Sequence, residues 1–129
     1  MTLGPAWVAM CVALAIHVAD EALTDFLSVY NSAVRGIRAR LPFLPLPTFT
    51  FPVWFGGLIA VTVLLFGLAP AAFRGEPGTR PAAYVVGVVM AGNGLLHLGG
   101  SIYMRKAMPG VYSAPIILAA AIYLLASVP

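Results

Sequence analysis

Five polar side chains interrupt an otherwise apolar sequence: His17, Asp20 and Glu21 in a His-x-x-Asp-Glu arrangement, and Asn93 and His97 four residues apart. Imidazole and carboxylate together make two chemistries available. One is ligation of a divalent transition metal such as zinc, iron or manganese; the other is proton transfer between tuned acid and base groups. On a helix each residue advances about 100°, which puts Glu21 about 40°, Asp20 about −60° and Thr24 about −20° from His17, all on one face. Asn93 and His97 share a face in the same way. His17 and Glu21, at i and i+4, can reach one ion. The expected metal ligands are His17, Glu21 and His97 with Asn93 beside them, while Asp20 or Asn93 takes the second nitrogen of a ligating histidine. Glu21 and Asp20 are the expected acid/base groups. Arg105, two turns past His97, is the expected anion-binding group.

The elements that must position these residues are membrane helices. Of the 129 residues, 61% are hydrophobic and 9% charged, and the mean hydropathy is +0.98. A soluble domain carries about 25% charged residues, so this chain has too few to cover a soluble surface. The composition implies an all-α, integral membrane four-helix bundle forming a single domain over residues 1–129. Apolar runs place the helices at about 5–29, 51–73, 81–104 and 111–128, each near the roughly 20 residues a span needs. Residues 1–15 lack the positively charged start of a secretory leader and are expected to stay as part of the first helix. Cys11 is the sole cysteine and has no partner for a disulfide within the chain.

Between the first two helices lies a loop rich in arginine and proline. Arg35 and Arg38 are one turn apart, which predicts a short interfacial helix facing lipid headgroups; Pro42, Pro45 and Pro47 then forbid regular helix. The net charge of +3 comes from basic residues in loops, so no nucleic-acid partner is expected. Arg35, Arg38, Arg40, Arg105 and Lys106 fall on one side and Arg74 and Arg80 on the other. The positive-inside rule then puts both termini on the extracytoplasmic side.

Depth adds a second constraint. The first and third helices enter from the same side. At 1.5 Å per residue, His17 and Asn93 both lie roughly 18 Å along their helices, and Glu21 and His97 roughly 24 Å. The two polar stripes are therefore expected to meet. An ionised group at the bilayer centre costs about 2.5–3.5 kcal/mol, whereas an interhelical polar contact returns about 0.6 kcal/mol. Such a cluster is a poor investment as mere glue, so a functional site is the stronger expectation.

His17-x-x-Asp20-Glu21, Asn93-x-x-x-His97, Arg105 and Pro109-Gly110 together resemble the small bacterial membrane proteins named for an HXXEE motif, with Asp20 in place of the first Glu. The resemblance covers most of the chain and implies a bacterial inner-membrane location and a shared site, without naming a reaction. The change to Asp20 favours a supporting role for that residue over direct ligation.

The leading expectation is a membrane-embedded enzyme with a His/carboxylate, metal-bearing centre between the first and third helices. It would act on a lipophilic small-molecule substrate by hydrolysis, isomerisation or cyclisation. A small proton-coupled transporter and an accessory membrane subunit are the alternatives. Membrane lipid is an expected partner, and a homo-oligomer is left open.

Overall fold

The computed structural model describes residues 2–128. Every regular element in it is helical: α1 (Leu3–Leu23), α2 (Phe26–Arg40), α3 (Phe51–Gly67), α4 (Ala69–Arg74), α5 (Thr79–Met104) and α6 (Ala114–Ala126). Three helices are long and apolar enough to cross a membrane: α1, the nearly continuous α3–α4 unit over Phe51–Arg74, and α5. The α3–α4 unit bends at Leu68, next to Pro70, which has no N–H to give its helix and so breaks the backbone ladder.

The core is built on one stripe of α1. Trp7, Met10, Cys11, Leu14 and Val18 are buried against Leu65 of α3, Ala72 of α4, Ala83 of α5 and Ile117, Ala121 and Leu124 of α6. This spacing of three and four residues is the helical period. Trp7 is fully enclosed and its indole Nε1 donates to the Leu65 carbonyl at 2.7 Å, so it anchors the α3–α4 bend and not a lipid interface. α6 packs against both α1 and α5, while α1 and α5 have no comparable packing on each other. Gly94 and Gly87 allow the close α5–α6 approach: a Cβ on Gly94 would lie 3.1 Å from Leu118 Cβ and 3.2 Å from the Ala114 carbonyl oxygen.

Three boundaries differ from the sequence expectation. The first helix stops at Leu23, not near Val29, because Asp25 takes a left-handed backbone (φ 60°) and the chain turns. The arginine segment is therefore a separate 15-residue helix, α2, with Leu27 and Val34 buried seven residues apart and its arginines exposed. The fourth helix is 13 residues long. It spans about 20 Å, short of a hydrocarbon core of about 30 Å. Residues 111–113, expected as its first turn, are instead held in turns by the polar cluster.

α3 is apolar all round and only Thr62 and Leu65 are buried on it, the pattern of a helix that needs an apolar environment outside the fold. From α2, Asn31 grips the end of the proline-rich segment with both ends of its amide: Nδ2 donates to the Phe49 carbonyl at 2.8 Å, and Phe49 N donates to Oδ1 at 3.0 Å. Tyr30 donates to the Pro47 carbonyl. Neither role has a sequence signature.

Replacing Gly94 with Leu forces α5 and α6 apart. A loss of about 1–3 kcal/mol is expected, read as a lower unfolding midpoint in detergent by circular dichroism. Gly92→Leu, at a position with nothing within 4 Å of a Cβ, serves as the neutral comparison; an equal loss at both sites would refute the packing role.

Candidate metal centre

The buried stripe of α1 does not end with its apolar residues. Its last two turns present His17 and Glu21, 1% and 5% exposed. On α5 the face that carries Ala83, Gly87 and Gly94 ends at His97, 0% exposed. Core packing thus delivers three polar side chains to one point. His97 Nε2 lies 2.9 Å from Glu21 Oε1, and His17 Nε2 lies 3.4 Å from the same oxygen. The two imidazoles meet edge to face with centroids 4.7 Å apart. One ligand atom from each of the three residues falls within 4.8 Å of the others.

The other nitrogen of each ring fixes its proton. His97 Nδ1 is 2.7 Å from the Pro109 carbonyl oxygen. A carbonyl only accepts, so Nδ1 carries the proton. His17 Nδ1 is 2.7 Å from Ser113 Oγ. Ser113 has one hydroxyl proton, and the Asp20 carboxylate at 2.7 Å is its strongest acceptor. Ser113 Oγ therefore receives a proton from His17 Nδ1. Assigned in this way from the network, each ring carries a proton on Nδ1 and turns Nε2 toward one carboxylate oxygen, His97 Nε2 at hydrogen-bond distance and His17 Nε2 at 3.4 Å. His17 Nε2 is the one buried side-chain polar atom without a hydrogen-bond partner among the described residues.

The segment 108–113 makes this possible. Met108 N donates to Ser101 Oγ, Gly110 N to Thr24 Oγ1 and Ser113 N to Asp20 Oδ2 at 2.8 Å. Gly110 has φ +84°, and a Cβ there would sit 2.6 Å from His97 Cε1 and 3.0 Å from Glu21 Cγ. Only glycine meets both demands. Phe26, the first residue of α2, closes over His97 at 5.0 Å, and Trp54 packs on Phe26.

The structure therefore gathers His17, Glu21 and His97 and leaves two expected residues outside. Asn93 makes no hydrogen bond with any of the three. Gly94, the next residue, faces α6, so α6 and not α5 is the neighbour of α1 at that depth, and Ser113 occupies the place foreseen for Asn93. Asp20 is engaged through Ser113 and does not touch the histidines. Arg105 is exposed at the end of α5. Cys11 is buried in the apolar core, away from the cluster. Ser113, Thr24 and the Pro109 carbonyl escape a sequence reading because a serine before a helix, a threonine at a helix end and a Pro-Gly turn have ordinary local uses. The available signal was that Thr24 shares the phase of His17.

No family model matches the chain, and no curated protein or solved structure matches it.

The tautomers are open to direct measurement. Nitrogen-15 spectra of imidazole-labelled, metal-free protein are expected to show Nδ1 protonated in both histidines, with Ser113→Ala releasing His17 alone. An unprotonated Nδ1 on either ring in the wild type would contradict the assignment.

Proposed function

We propose that the chain is an integral membrane protein of four apolar segments whose His17/Glu21/His97 cluster binds one divalent transition metal, and that it is an enzyme for a lipophilic substrate. The carrying observation is the convergence of two imidazole Nε2 atoms on Glu21 Oε1, with His17 Nε2 buried and without a hydrogen-bond partner. A proton on His97 Nε2 answers Glu21 at 2.9 Å but leaves the His17 nitrogen bare, whereas a cation among the three would answer all of them. Protons are the weaker solution: a proton on His17 Nε2 would have no aligned acceptor, as the 3.4 Å approach to Glu21 is not a hydrogen bond.

The donor set fits the group. Zinc bonds of about 2.0–2.2 Å place tetrahedral ligands about 3.3–3.6 Å apart, and the His17–Glu21 separation is 3.4 Å. The 2.9 Å His97–Glu21 separation would open by a few tenths of an ångström. Two histidines and one glutamate are a ligand set that keeps a position open in catalytic sites. A bound metal would supply a Lewis acid and a water acidified enough to act near neutral pH.

The chain's own residues supply orientation and exclusion of water. Asp20 and Ser113 hold the His17 ring, the Pro109 carbonyl holds the His97 ring, and Gly110 permits the close approach. Phe26 and Trp54 keep the His97 side apolar. Glu21 is the most exposed of the three residues, so water or substrate would approach from its side. Hydrolysis, isomerisation and cyclisation all use such a centre. Of the residues that carry the HXXEE resemblance, His17, Asp20, Glu21, His97 and Pro109-Gly110 converge and Asn93 and Arg105 do not, so support for reading that resemblance as one of site comes from the first set alone. The five-to-two distribution of basic residues supports placing this end of the bundle in the cytoplasm and both termini outside.

Elemental analysis of detergent-purified protein tests the proposal. Near one equivalent of zinc, iron or manganese is expected in the wild type, and below a tenth of that in His17→Ala, His97→Ala and Glu21→Gln. Ser113→Ala is expected to keep the fold and weaken metal affinity about 10–100-fold. Wild-type protein that holds no metal after growth and dialysis with each ion would overturn it.

A further inference from the structure

The end of the molecule that carries the cluster is unusual in charge. It holds five of the seven basic side chains, Arg35, Arg38, Arg40, Arg105 and Lys106. It also holds three of the four carboxylates, and all three are engaged elsewhere: Asp20 with Ser113, Glu21 with the histidines, Asp25 with the Ser28 hydroxyl at 2.8 Å. Among the described residues the one Arg–carboxylate ion pair is Arg74–Glu76, at the opposite end. The five cations therefore have no internal anion.

Beside them is a groove. α2 is anchored at its start by Phe26 and at its middle by Asn31, but does not pack closely on α5. The gap, of about 490 Å³, is lined by Ser28, Val29, Ser32 and Ala33 of α2 and Met104 of α5. It is a shallow, open depression whose walls are mainly apolar. One end begins half a turn from Phe26, the residue over His97. At the other end, Met104 precedes Arg105, and Ser32 is one turn before Arg35. Arg105 takes a left-handed backbone, φ 53°, at the helix C-cap. Glycine is the ordinary residue for that conformation, so an arginine there carries a backbone cost.

We infer that the α2–α5 groove seats the acyl chain of a membrane lipid whose anionic phosphate headgroup is held by Arg105 and Lys106, which makes an anionic amphiphile the substrate class of the cluster. The groove takes the chain, the unpaired cations take the head, and the groove's Phe26 end brings the molecule beside His97 and Glu21. A neutral or cationic lipophile would leave the cations unanswered. The substrate role rests on the reading of His17, Glu21 and His97 as a reactive centre; the binding itself does not.

Native mass spectrometry of the full chain, with phosphatidylglycerol and phosphatidylcholine of matched acyl chains, separates the two. One phosphatidylglycerol per chain is expected to be retained in preference to phosphatidylcholine. Arg105→Gln is expected to lower that preference about fivefold, the weight of one cation near a lipid surface, with Lys106→Gln as an independent second variant. Ala33→Trp, which fills the groove, is expected to abolish retention. His17→Ala is expected to lose metal and keep the lipid, so a failed metal centre leaves lipid selectivity readable. Equal retention of the two lipids, or selectivity unchanged in both cation variants, would overturn the inference. So would retention unchanged in Ala33→Trp.

Discussion

One carboxylate oxygen organises the polar half of this molecule. Glu21 Oε1 stands opposite two imidazole nitrogens whose rings are oriented from the far side by the Pro109 carbonyl and Ser113 Oγ, which take the Nδ1 protons. Neither histidine can turn without leaving a buried donor unpaired, a cost of about 1–3 kcal/mol for each such group. Much of the surrounding backbone follows from that constraint. Residues 108–113 cannot be helical, since their carbonyl and amide groups are spent on His97, Thr24 and Asp20. α6 in turn starts late and is short. Position 110 must be glycine, and α5 must end where His97 can reach α1.

The location of the cluster changes its energetics. Read from sequence, His17 and Glu21 lie near the far side of a long helix. With α1 ending at Leu23, Glu21 is two residues from the end, and the cluster sits at the mouth of the helices. Insertion costs fall toward the interface, so burial by protein does most of the work of excluding water. His97 is sealed by Phe26, Trp54 and Gly110, and His17 by Ser113 and the α1 core. The same residues that raise the cost of an unpaired charge also strengthen any electrostatic interaction inside.

The helical class and the meeting of Glu21 with His97 were legible because both follow from periodicity: apolar runs of span length, and two residues at matched distances along parallel helices. The pairing of His17 with Asn93 was equally well motivated and wrong in partner, since depth says nothing about which helix is adjacent. That is set by small residues, Gly87, Gly94, Ala114 and Ala121, which let α6 come between. The turn at Asp25 was invisible because Asp takes the left-handed conformation there with neither glycine nor proline to mark it. Backbone contributions, the Pro109 carbonyl and the Ser113 amide, leave no mark in residue identity.

X-ray absorption at the edge of the bound metal is the most direct measurement of the central claim. For zinc-loaded protein the account predicts two imidazole nitrogens at about 2.0–2.1 Å and one carboxylate oxygen at about 2.0–2.2 Å, with no sulfur neighbour. The imidazole contribution should be halved in His97→Ala. A sulfur shell, or an oxygen-only shell that the histidine variants leave unchanged, would contradict it.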